Sequence, residues 1–160
     1  TPDHIDRHGS FEGYITAKKR IFLNQNSQDF AIIDNDNSNS LKVFEDLQND
    51  KNFKANLVAI STKKIPQNGV AVIDKKVFVN LENQKFQFEI NPILKGEHNL
   101  QNIACALAII CCHLIKNSQF SSQKIQQIIE IIEEFKGLKH RMQLIRKINE
   151  IRRLWRSGAL

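Results

Sequence analysis

Near the start of the chain, Asp3-His4-Ile5-Asp6-Arg7-His8 crowds two carboxylates and two imidazoles into six residues. Carboxylate oxygens and a limited number of imidazoles are ligands that divalent cations accept. The same aspartates would also serve to cap the helix that follows or to balance Arg7. A second group, Gly96-Glu97-His98-Asn99-Leu100-Gln101-Asn102, places polar residues at the opening of an apolar helix. Helix N-termini present unpaired N–H groups to anions and polar ligand edges. Asn99 and Asn102 stand three apart and project from nearly the same face. An ordinary capped helix with Asn102 in solvent leaves the same pattern. The third group is Lys139-His140-Arg141, after Gly137. Arginine suits phosphate through its rigid fork of donors, although three basic residues past a helix stop also describe a solvated patch.

These residues need elements to hold them. Ser10 to Leu23 reads as a helix with Ser10 as N-cap. Phe30-Ala31-Ile32-Ile33 is a buried strand that runs into the polar loop Asp34-Asn35-Asp36-Asn37, as at the carboxyl end of a parallel strand. Ser40 to Leu47 fits a short helix, and Asn56 to Ser61 a second buried strand. Runs at 69–73, 76–80 and 85–90 are rich in β-formers, with Asp74-Lys75 and Asn83-Gln84 where tight turns belong. A small antiparallel meander is expected there. Two helices follow, from about Asn99 to Ile115 and from Ser122 to Phe135, the latter with Ile125, Ile128, Ile129 and Ile132 at helical spacing. The order predicts an α/β sheet with an antiparallel appendage, and a sheet without its opening strands.

The segments Asp3-His4-x-Asp6-Arg7, Ala17-Lys18-x-Arg20, Gly96-x-His98-Asn99-x-x-Asn102 and Phe135-x-Gly137-Leu138-x-His140-Arg141 together resemble the central ATP-binding domain of the Mur ligases. The branch that adds D-glutamate to UDP-N-acetylmuramoyl-L-alanine is the nearest in pattern. The resemblance implies a parallel sheet flanked by helices with a small antiparallel β-meander. It also implies ATP and Mg2+ as cofactors, phosphorylation of a carboxylate, and attack of an amine on the acyl phosphate. It makes His4 a magnesium ligand beside the ATP phosphates. Lys18, in preference to Lys19, becomes a carbamylated lysine that serves catalysis and helps hold the metal. His98, Asn99, Asn102 and Arg141 become ATP-binding residues. ATP, UDP-N-acetylmuramoyl-L-alanine and D-glutamate are then the partners of the intact enzyme, which is expected to be a cytoplasmic monomer of peptidoglycan synthesis.

Composition is compatible with that reading. The 160 residues are 41% hydrophobic and 25% charged, as expected for one globular domain with a proper core. The net charge of +6 raises the question of nucleic acid. The lysines are scattered, however, and lack interleaved aromatic residues for stacking, so no nucleic-acid partner is expected. No apolar run reaches the roughly 18 residues of a membrane helix, the longest being Ile103 to Cys112, and no membrane partner is expected. Cys105, Cys111 and Cys112 form no CxxC pair and read as free thiols.

A phosphate-cradling loop requires glycine followed by lysine and a hydroxyl residue, and none of the six glycines precedes a lysine. In the family this loop, a further magnesium-binding glutamate and the UDP-binding domain lie upstream of the aspartate–histidine segment. The domain that binds the incoming amino acid lies downstream. Residues 1–148 are therefore expected to be a partial central domain, inactive alone. Residues 149–160, with the only tryptophan and three arginines, are expected to be a divergent tail produced by a frameshift or an artificial end. Two alternatives stand beside this: a piece of another Mur or folylpolyglutamate-type ligase, and the non-functional remnant of a decayed gene with an aggregation-prone open sheet edge.

Overall fold

The computed structural model describes residues 10–137, 143–148 and 151–155. Helix α1, Phe11–Lys19, begins at Ser10, whose hydroxyl accepts the Gly13 N–H at 3.0 Å, the N-cap bond expected of serine. Its last turn carries Lys18 and Lys19, favourable at the negative end of the helix dipole. The expected helix to Leu23 tightens after Lys19 into a 3-10 turn, Arg20–Phe22. Nothing in α1 is fully buried.

Strand β1, Phe30–Asp34, is followed by helix α2, Ser38–Asn49, and strand β2, Asn56–Ser61. Strands β3, Gly69–Ile73, β4, Lys76–Leu81, and β5, Gln84–Glu89, come next, and then helices α3, Glu97–Lys116, and α4, Ser122–Glu134. One five-stranded sheet runs in the order β1-β2-β3-β4-β5. β1, β2 and β3 are parallel; β4 and β5 pair antiparallel to their predecessors. The expected meander is present and continues the parallel sheet. β3 belongs to both halves, taking β2 on one edge and β4 on the other. The two hairpins close with two residues each, Asp74-Lys75 and Glu82-Asn83, all four at positive φ. That is the twist-matched arrangement of tight hairpins, and the second turn lies one residue earlier than its sequence suggests.

Alternation builds the core. Val58, Ile60, Val70, Val72, Val77 and Val79 pack with Ala104, Leu107, Ala108 and Cys111 of α3 and with Ile125 and Ile129 of α4. Ala31, Ile33, Ala59 and Ala71 are buried between them in sequence and so turn to the other face. Helix α3 has the length and mean hydropathy (1.4) of a membrane span, a property that the shorter apolar run Ile103–Cys112 does not reveal. Its apolar stripe packs on β2 and β3. Strands β6, Gln143–Ile148, and β7, Ile151–Trp155, form a separate antiparallel hairpin. The division expected after residue 148 falls between these two strands.

Candidate functional site

Parallel strands direct their carboxyl ends to one edge of the sheet, where loops and helix N-termini converge. A cleft of about 940 Å3 opens there. α1 supplies one wall with Phe11, Tyr14, Ile15, Lys18 and Lys19. Asp34 and Asp36 rise from the end of β1, Thr62 and Lys63 from the end of β2, and Glu97 and His98 from the first turn of α3.

Lys18 and His98, far apart in the chain, thus line the same cleft. Lys18 is exposed, its Nζ 5.5 Å from the centre of the Tyr14 ring. Lys19 is committed elsewhere, its Nζ 2.9 Å from Asp46 Oδ2 on α2. Among the described residues Lys18 has no such carboxylate partner. His98 is exposed beside Gly96, the N-cap of α3. Gly96 has φ +109°, a conformation that a side chain strongly disfavours, and a Cβ there would sit 3.2 Å from His98 Cε1. Gly96 offers no capping side chain, so the start of α3 enters the cleft without one.

The two asparagines part company. Neither Asn99 nor Asn102 lines the cleft. Asn99 turns back along its own helix, and its Nδ2 donates to the Lys95 carbonyl at 2.8 Å. Asn102 is exposed. His4 and Arg141 lie outside the described residues. Among the described residues no cluster of three or more histidine, cysteine, aspartate or glutamate side chains is arranged to hold a metal.

Sequence reasoning missed the best-ordered polar group in the cleft. Asp36 Oδ1 accepts the Ser61 hydroxyl at 2.5 Å, while Oδ2 accepts the Thr62 N–H at 2.6 Å and the Thr62 hydroxyl at 2.9 Å. Burial alone would raise the Asp36 pKa. The bonds from Ser61 and Thr62, helped by the charge of Lys63, outweigh it and hold the carboxyl below its ordinary value. The signal available in the sequence was the run Asp34-Asn35-Asp36-Asn37 at the end of an apolar strand. Its partners, 25 and 26 positions on, were not legible because they depend on the parallel pairing of β1 with β2.

Comparison with known proteins fits this geometry. The Mur ligase middle domain matches residues 1–110. A UDP-N-acetylmuramoylalanine–D-glutamate ligase of Rickettsia prowazekii (strain Madrid E) is 35% identical over 151 residues, covering 94% of this chain and 31% of that protein. Ligases with the same name from Koribacter versatilis (strain Ellin345) and Rhodospirillum rubrum are each 34% identical, over 89% and 95% of this chain. They are matched over 29% and 30% of their own lengths. The chain thus spans somewhat under a third of the relatives it matches. With a family match over more than two thirds of its length, and a mixed sheet whose parallel strands end at a polar cleft, this chain belongs to the Mur ligase family and contains its middle domain.

Proposed function

We propose that this chain is the central part of an ATP-dependent ligase that joins D-glutamate to UDP-N-acetylmuramoyl-L-alanine in the cytoplasm, for peptidoglycan synthesis. The observation that carries the reading is that Lys18 and His98 line one cleft at the carboxyl ends of β1 and β2. The donor set suits a polyphosphate. Lys63 supplies positive charge, and α2 and α3 both begin at the rim, with Asn37 capping the first and Gly96 leaving the second open.

ATP, when bound, supplies the phosphoryl group that activates the carboxylate. The chain's own residues bind and orient. Lys18, as a carbamate, would offer oxygen donors to Mg2+ together with His4, which explains why the free lysine is preferred over Lys19 with its aspartate partner. His98 faces the nucleotide. Arg141 is assigned to the ATP phosphates. Asn99 and Asn102 are assigned to the nucleotide side of the site, next to His98, although neither lines the cleft. The intact protein is read as a monomer, with no nucleic-acid or membrane partner. Residues 1–160 alone are inactive in this reading, because no glycine in them precedes a lysine as a phosphate loop requires.

The test is amino-acid-dependent ADP release, measured for the longest native gene product carrying this sequence and for residues 1–160 alone. Turnover with D-glutamate by the former and none by the latter is expected. Turnover only with a different amino acid, or amide formation by residues 1–160, would overturn the reading.

A further inference from the structure

Loop 61–64 is held by one carboxylate. Asp36 takes three hydrogen bonds from Ser61 and Thr62, and Ser61 passes the restraint onward. The fully buried Ser61 Oγ accepts the N–H of Lys63 at 3.0 Å and of Lys64 at 2.9 Å. A hydroxyl has one proton to give and two lone pairs to fill, and here all three are used. The backbone of Lys63 is therefore fixed where β2 ends, while its side chain stands on the cleft wall.

The partner of that side chain is held loosely. Lys63 Nζ lies 3.8 Å from Glu97 Oε1, and both side chains are exposed, at 62% and 73%. Such pairs contribute no more than about 1 kcal/mol. A ligand with several negative charges displaces Glu97 at little cost and meets an ammonium whose backbone is already positioned. Asp36 is the staple between the two strand ends, accepting three donors through both oxygens as an amide could not.

We propose that Lys63 is a ligand-contacting residue of the cleft, meeting the phosphates of a nucleoside triphosphate, and that Asp36 is the positioning residue that holds it through Ser61 and Thr62. This rests on the ligase reading above and adds to it Asp36, just past β1, and Lys63, just past β2.

The test is steady-state kinetics on the complete ligase that contains residues 1–160, with ATP varied. Lys63→Ala is expected to raise KM for ATP about tenfold with kcat within twofold, and Lys63→Arg to restore most of it. Asp36→Asn is expected to raise KM for ATP to a similar degree. The double variant should be no worse than the poorer single one, because both changes remove the same contact. An unchanged KM in Lys63→Ala, or effects that multiply in the double variant, overturns the proposal. Lys63→Ala removes no core hydrogen bond, so its result stands even if Asp36→Asn melts early. A wild-type enzyme that turns over no ATP overturns the ligase reading itself. Turnover with an indifferent Lys63→Ala overturns only the assignment of Lys63 and Asp36.

Discussion

Gly69 and Ala59 face each other across β2 and β3 so closely that a Cβ on Gly69 would lie 1.9 Å from the Ala59 carbonyl oxygen. Backbone, not a flexible side chain, blocks the space, so nothing nearby can yield cheaply. Gly69→Ala is expected to force β3 away from β2 and to cost about 3 kcal/mol or more. A denaturant midpoint equal to that of the wild type would refute this account of the sheet's centre.

Asp36 gives the fold an acid dependence whose sign is fixed by its lowered pKa. The folded carboxyl ionises more readily than the unfolded one at about 3.8, so its contribution is full above that value. It is lost as pH falls through the lower folded value. At pH 7, Asp36→Asn should destabilise by about 1–3 kcal/mol, since the amide cannot accept all three donors. The gap between wild type and variant should narrow below pH 4 in urea melts. A gap that stays constant to pH 2.5 would sink the prediction.

The thiols of Cys111 and Cys112, almost fully buried in α3, are each pushed up to about 12, chiefly by burial. Both are expected to resist alkylation in the native state at pH 8 and to react at once in denaturant. Above pH 9 the unfolded chain releases these protons first, so stability falls as pH rises, by about 1.4 kcal/mol per thiol per pH unit. The Cys111→Ala, Cys112→Ala double variant should show a shallower alkaline slope, whatever its absolute stability. Equal slopes between pH 9 and 11 would count against the buried-thiol account.

Lys18 and Lys19 should behave as different residues. In the complete ligase, Lys18→Ala is expected to lower kcat by roughly 100-fold, the scale of losing one group that stabilises transition-state charge. Added acetate or formate should restore part of it if the native group is a carbamate. Lys19→Ala should lose only its pair with Asp46, about 1 kcal/mol or less. No acetate rescue of Lys18→Ala would leave Lys18 a plain cation.

Most elements of the fold were legible because their signals are local. Ser10 and the lysines of α1, the apolar run of β1, the isoleucine spacing of α4 and the turn residues of the meander each act within a few positions. The union of the two sheet halves was not legible, since nothing in Gly69-Val70-Ala71-Val72-Ile73 announces that it pairs on both edges. The small residues that permit it, Gly69, Ala59 and Ala71, look unremarkable until registered against one another. At the site, the motifs name Lys18 and His98, and both line the cleft. Spacing puts Asn99 and Asn102 on one face, but it does not reveal the bond from Asn99 Nδ2 to the Lys95 carbonyl. Asp36 escaped notice because a carboxylate in a polar loop is ordinary until Ser61 and Thr62 are brought beside it.

The double membership of β3 also joins a fast local closure to a slower long-range one. β3, β4 and β5 are joined by two-residue turns, and such hairpins close in about 1–10 μs. The pairing of β1 with β2 must wait for the chain to travel through α2, a longer closure and a slower one. β3 is then expected to offer a formed edge to the parallel strands. The cleft, assembled from the ends of β1 and β2, depends on the slower pairing. Under mild denaturation the protein should lose its ligand site while half of its sheet persists.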